Sequence, residues 1–212
     1  MAVLGVDLRA SLKKRSSIAV LDSQSHLTEL SSFFEDNELI KVVNDINPDV
    51  VAIGAPLNLP SGFCCLDQSC ECRFSEPNRK GRLLELELAK MGISCFYTNK
   101  GSIIRELIYR GIQLSQMLRD AGHNVIEVYP HASKMLLFGD KVPPKNSAAS
   151  ISYMIGHLTP LVSGMEGHTN DLDRNRCDSI INAYTGQIHA QSNTDILGDP
   201  NEGVLVLPKL PN

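Results

Sequence analysis

Four aspartates and one glutamate stand where a carboxylate can do chemistry. Asp7 closes the apolar run Val3-Leu4-Gly5-Val6. Strand-end aspartates commonly cap the turn that follows, so on its own this residue reads as structural. Glu127 lies inside Val125-Ile126-Glu127-Val128-Tyr129, a segment otherwise built for burial. A carboxylate there needs a cationic partner, a metal ion or a water-filled cleft, because leaving it dry and unpaired is costly. Asp171, Asp173 and Asp178 gather where an apolar-periodic stretch begins. Asp173 suits a helix N-cap. Asp178, beside Cys177 and two residues before Ile180-Ile181, is the one expected to face inward. A step of seven residues puts Asp171 on the same face if the helix reaches back that far. Carboxylates without His-x-x-His or Cys-x-x-Cys nearby suit hard cations such as Mg²⁺ or Mn²⁺. Two such ions about 4 Å apart activate a water and stabilise the leaving oxygen of a phosphodiester. The expected set is Asp7, Glu127 and Asp178 as catalytic metal ligands, with Asp171 as a further ligand.

Other residues fill supporting roles. Arg9, two positions past Asp7, projects from the end of the first strand and suits a phosphate. His131 follows Tyr129-Pro130 at another strand end, where an imidazole can meet substrate or shuttle a proton. Lys134 and Arg105 are further cations without a distinguishing pattern. Cys64, Cys65, Cys70 and Cys72 supply four thiols within nine residues, enough in number for one structural Zn²⁺. Their Cys-Cys-x₄-Cys-x-Cys spacing departs from paired Cys-x₂₋₄-Cys knuckles, and adjacent side chains diverge in an extended chain. Zinc, a disulfide and free thiols therefore all stand as readings. Cys95 and Cys177 sit in apolar segments as small buried thiols.

The elements that must position these groups alternate in type. Apolar runs at 2–8 and 17–22, joined by a basic, Ser-rich turn, predict a hairpin, with a third strand over 26–33. A helix over 37–46, capped by Asp36, carries Leu39, Ile40, Val43 and Ile46 at helical spacing and stops at Asn47-Pro48. The continuous run 49–54 predicts a strand covered on both faces. Residues 58–80, rich in Pro, Gly, Ser and Cys, read as a long loop or insertion. Beyond it come a helix over 81–91, a strand at 93–97, an amphipathic helix over 102–120 and a buried strand at 124–129. Helical pieces broken by Pro143-Pro144 and Pro160, a last helix over 172–189 and a terminal strand at 203–207 complete the chain.

The 212 residues, 42% hydrophobic, suffice for one domain with an insertion. No apolar run reaches the roughly 18 residues that span a bilayer, and the N-terminus lacks a signal-peptide pattern, so a cytoplasmic location without membrane association is expected. A net charge of −4 counts mildly against binding nucleic acid by phosphate neutralisation alone. Nothing in the sequence sets an oligomeric state.

Taken in order, GVDLRA, VAIGAPLNLP, VIEVYPHAS, CDSIINAYTG and GDPNEGVLVLP resemble a family described as predicted nucleases with an RNase H fold (domain of unknown function 429). The resemblance runs from the first strand to the tail. It implies an α/β architecture of the RNase H-like kind, a single domain over 1–212. The sheet would be mixed and five-stranded, with its first three strands antiparallel, helices on both faces and the Cys-containing insertion at 58–80. It also implies acids on the first strand, a later strand and the last helix: Asp7, Glu127 and Asp178. One departure matters, because this chain has Gly54 in the segment where many members of the family it resembles carry Asp. That position should neighbour the first strand, where RNase H-like nucleases place a second metal-binding acid. Glu127 would then compensate from the next strand, or the protein would bind a ligand without cutting it. The leading expectation is a metal-dependent nuclease or phosphodiesterase acting on nucleic acid. The alternatives are a non-catalytic nucleic-acid or nucleotide-binding module and a phosphotransferase related to actin-like ATPases. Against the last, Asp7-Leu8-Arg9-Ala10-Ser11 lacks the glycines of a phosphate cradle.

Overall fold

The computed structural model describes residues 1–139, 142, 143, 147, 149–168 and 171–209. Three strands, β1 (Ala2–Asp7), β2 (Ser16–Asp22) and β3 (Leu27–Phe33), form an antiparallel meander, as the alternating runs and polar turns predict. Helix α1 (Asp36–Ile46) then crosses to β4 (Val50–Ile53), which pairs parallel to β1. After a long segment without helix or strand come α2 (Leu83–Lys90), α3 (Arg105–Asp120) and β5 (Val125–Val128), which is parallel to β4. Helices α4 (Pro130–Phe138), α5 (Ala149–Leu158) and α6 (Arg174–Ala190) precede a final hairpin, β6 (Thr194–Asp199) and β7 (Gly203–Pro208). Among the described residues these strands make one mixed sheet in the order β3-β2-β1-β4-β5-β7-β6.

The sheet therefore has seven strands where five were expected. The terminal run at 203–207 is β7, inserted beside β5, and it recruits β6 as an antiparallel edge. The sequence of β6, Thr-Asp-Ile-Leu-Gly-Asp, is half polar, without apolar alternation and nowhere fully buried, so it carries no burial signal. Residues 93–97 are not a strand: the segment runs beside α2, where Ile93 is buried against Leu84 and Leu88. The cap of α1 is Glu35, whose backbone N–H is held by the Glu38 carboxylate at 2.9 Å, and Asp36 is the first helical residue. Pro144 lies outside the described residues.

Pleating sorts side chains to two faces. Leu4 and Val6 of β1 and Val51 and Ile53 of β4 pack with α1 and α3 in one core. The alternate residues face α6: a Cβ on Gly186 would meet Val3, Ala52 and Val50. Gly5 lets this helix approach closely, since a Cβ there would fall on the backbone of α6 at Ser179 and Ala183. Backbone cannot give way as a flexible side chain does. Gly5→Ala is therefore expected to cost about 3 kcal/mol or more, read as a shift in the urea unfolding midpoint. A loss below about 1 kcal/mol would mean that α6 does not need this approach.

Candidate functional site

Asp7 is the next residue after Gly5 and Val6 on β1, so by alternation it shares the α6 face with Gly5. Asp178, on the second turn of α6, lies one residue before Ser179, whose carbonyl abuts Gly5. The close approach of helix and strand thus brings Asp7 and Asp178 to one place, and both are buried, at 8% and 3% exposure. They line a cavity of about 600 Å³ at the carboxyl ends of β1, β4 and β5. In open α/β sheets that end is where ligands bind. Lys134 of α4 donates to Asp178 Oδ1 at 2.7 Å, and Arg174 feels the charges of Asp178 and Asp7, although burial lowers its own pKa. Burial pushes the Cys177 thiol up to about 12, which makes it an inert core residue. Arg9, Lys14 and Arg174 line the same cavity.

Glu127 also reaches this cavity, but from the other side of the sheet. Register places Val6 opposite Ile53 and Ile53 opposite Glu127, so Glu127 shares the α1/α3 face with those two. Its carboxylate is fully engaged. Arg82 Nη1 and Nη2 donate to its two oxygens at 2.8 and 2.7 Å, and the Leu57 backbone N–H donates at 2.8 Å. Arg82, 1% exposed, also donates through Nε to Glu85 at 3.0 Å. Glu85 in turn accepts from the Thr98 N–H and hydroxyl. These partners occupy the oxygens that a metal would need, and the buried carboxylate is explained by its buried guanidinium.

Gly54 continues the alternation of β4 onto the α6 face. A Cβ there would lie 2.5 Å from Asn182 Nδ2, which donates to the Val6 carbonyl at 2.8 Å. The place that an acid at position 54 would take is filled by this amide. Asn182 Oδ1 is buried without a hydrogen-bond partner among the described residues, one helical turn beyond Asp178.

The remaining expectations divide. Arg9 sits at the cavity mouth, its Nη1 donating to Asn175 of α6 at 3.2 Å. His131 lines the cavity from the first turn of α4, behind Pro130 at its start, rather than from a loop. Asp173 caps α6 by accepting from the Arg176 N–H at 2.9 Å. Asp171 is not brought in: the helix begins after that cap, so the seven-residue spacing does not apply. Its side chain is 68% exposed, 4.0 Å from Arg176. Arg105 is exposed beside Glu106.

Cys64, Cys65, Cys70 and Cys72 do converge, with their four sulfurs within 4.8 Å of one another. The segment is not extended there. Asp67 accepts from the Ser69 N–H at 2.8 Å, and its carbonyl accepts from the Cys70 N–H at 3.3 Å, which turns the chain back on itself. The divergence expected of adjacent cysteines belongs to extended backbone and does not operate here.

Sequence reasoning missed Arg82, Glu85 and Glu202, and it named Lys134 without giving it a partner. Arg82 and Glu85 carried a faint signal, an Arg–Glu pair three residues apart at a helix start. Glu202, in the β6–β7 turn, accepts from the Ser61 N–H at 3.0 Å, the Leu83 N–H at 2.6 Å and the Arg79 guanidinium. It therefore ties both ends of the 58–80 segment to the sheet. The Ser61 and Leu83 amides, then Arg79, hold its pKa below the usual 4.5 against burial. A lowered carboxylate contributes stability that is present above about 4.5 and lost as pH falls through the folded value. Glu202→Gln is expected to destabilise by about 2 kcal/mol at neutral pH, the gap narrowing in acid. A pH-independent difference in urea midpoint would contradict this account.

These features define a mixed α/β protein with a buried carboxylate pair and a cation-rich cavity at the carboxyl end of its sheet. No family model and no curated protein matches the sequence. Among solved structures the chain is similar to one titled "Thermus thermophilus RuvC structure", at 13% identity and TM-score 0.46, covering 91% of this chain and 96% of that one. Among the described residues no helix is long and apolar enough to cross a membrane.

Proposed function

We propose that the chain is an RNase H-like phosphodiester hydrolase acting on nucleic acid, working from Asp7 and Asp178. One observation carries the reading: two buried carboxylates on adjoining elements open into a cavity whose other charged groups are mainly cationic. Lys134 pairs with Asp178, and Arg82 with Glu127 and Glu85. Arg9, Lys14 and Arg174 then outnumber Asp7 and the one carboxylate that Arg82 leaves uncancelled, a slight excess that suits an anionic phosphoester.

A hard divalent cation fits Asp7 and Asp178, the two buried carboxylates that line the cavity from the α6 face. A paired-ion site does not fit, because Gly54 supplies no acid and Glu127 is held by Arg82. Bound there, the cation would lower the pKa of a water and stabilise developing oxyanion charge. Lys134 holds Asp178 in position and supplies positive charge beside it. Arg9 and Arg174 orient the phosphate, and His131, at the cavity wall, is placed to move a proton. The order of strands β3-β2-β1-β4-β5 and the resemblance in the quoted segments support the architectural half of the reading.

A non-catalytic binding module is the second reading, favoured by the amide that fills the position beside Gly54. Single-stranded, duplex and branched DNA and RNA, incubated with Mg²⁺ or Mn²⁺ and wild type or Asp7→Asn, separate the two. Cleavage lost in the variant supports the hydrolase. Binding without cleavage by either protein supports the module.

A further inference from the structure

Residues 61–80 contain a single fully buried apolar side chain, Leu66, and neither helix nor strand. Ordering each residue costs roughly 1 kcal/mol or more of backbone entropy. What holds the segment is sparse: Phe63 packs against Phe74 with tilted rings, 4.6 Å between centroids, the Leu66 N–H donates to Tyr109, and Glu202 grips the two ends. Segments with so little core are usually secured by a covalent or metal staple.

The four cysteine sulfurs sit at the turn of this segment. All of their mutual separations fall within 4.8 Å, and Cys64 and Cys70 are 3.5 Å apart. Zinc–sulfur bonds of about 2.3 Å in a tetrahedron put sulfurs roughly 3.8 Å from one another. Two disulfides would require closeness only within each pair. Mutual approach of all four is what a single tetrahedral ion demands. A four-thiolate zinc site carries two negative charges, and one side of it is basic, although Asp67 and Glu71 belong to the same loop. Arg73, Arg79, Lys80 and Lys100 line the shallow depression beside Cys72, and the Lys100 ammonium donates to the Cys70 carbonyl.

We propose that Cys64, Cys65, Cys70 and Cys72 bind one zinc ion that staples the 58–80 segment onto the fold. The site is independent of the carboxylate pair and stands whether or not the protein cuts nucleic acid. Because α2, which carries Glu85, follows directly on this segment, the ion also steadies the helix start at Arg82.

Full-length protein, purified under reducing conditions and stripped with a chelator, is titrated with Co²⁺ and then Zn²⁺. The expected result is one Co²⁺ per chain, with the thiolate charge-transfer and visible bands of a tetrahedral four-sulfur site, displaced by one equivalent of Zn²⁺. Cys72→Ser should weaken binding more than tenfold, while Cys95→Ser should bind as wild type. Absent charge-transfer bands in wild type, or intact binding by Cys72→Ser, would overturn the site. Native mass measurement of the reduced, unstripped protein showing no bound metal would do the same. The wild-type titration decides the matter even if a cysteine variant fails to fold.

Discussion

Replacing Arg82 by Met is expected to destabilise the protein by about 3–5 kcal/mol, the usual cost of stranding a buried charge. The guanidinium is 1% exposed and spends three nitrogens on two carboxylates, Glu127 and Glu85, that are themselves buried. Methionine fills much of the volume but leaves both acids without their cation. Glu127→Gln should cost less, because Arg82 keeps Glu85 and the new amide oxygen still accepts from Leu57. Urea midpoints at neutral pH measure both. Equal losses, or a smaller one for Arg82→Met, would show that Arg82 does not anchor the network. The same Glu127→Gln protein also tests the division of labour at the cavity. With Glu127 in a structural pair, its Mn²⁺ affinity should match wild type, and a loss like that of Asp178→Asn would return Glu127 to the ligand set.

Asp7→Asn is expected to reduce cleavage by on the order of 100-fold or more, since it removes one of two carboxylates available to hold a cation and stabilise charge in the transition state. The substitution is close to isosteric and leaves the β1–α6 contact at Gly5 untouched, so stability should change little by comparison. Turnover of the best substrate, set beside the unfolding midpoint of the same sample, separates loss of chemistry from loss of fold. Activity that survives in Asp7→Asn would remove the hydrolase reading, while the staple at the cysteines would be unaffected.

Much of the architecture is legible in local pattern. The runs at 2–8, 17–22, 49–54 and 124–129 alternate or saturate with apolar residues and become β1, β2, β4 and β5. The periodic stretch at 102–120 becomes α3, and Asp173 caps α6. β6 escaped because its residues, none of them fully buried, are held in the sheet by pairing with β7 rather than by burying a face. The segment 93–97 misled because an apolar run that packs beside a helix has the same composition as a strand.

The candidate site was readable as a list of acids but not as an arrangement. Residue types and spacing determined that Asp7 ends a strand, that Glu127 lies in a buried strand and needs a cation, a metal or a wet cleft, and that Asp178 faces inward. Local sequence carries those facts because period and burial are properties of a few neighbouring residues. Which partner each acid takes was decided by tertiary structure alone. Arg82 meets Glu127 across 45 positions, and Lys134 meets Asp178 across 44. Strand register likewise sent Glu127 to the face opposite Asp7, since one residue of shift in a pleated sheet exchanges the two faces.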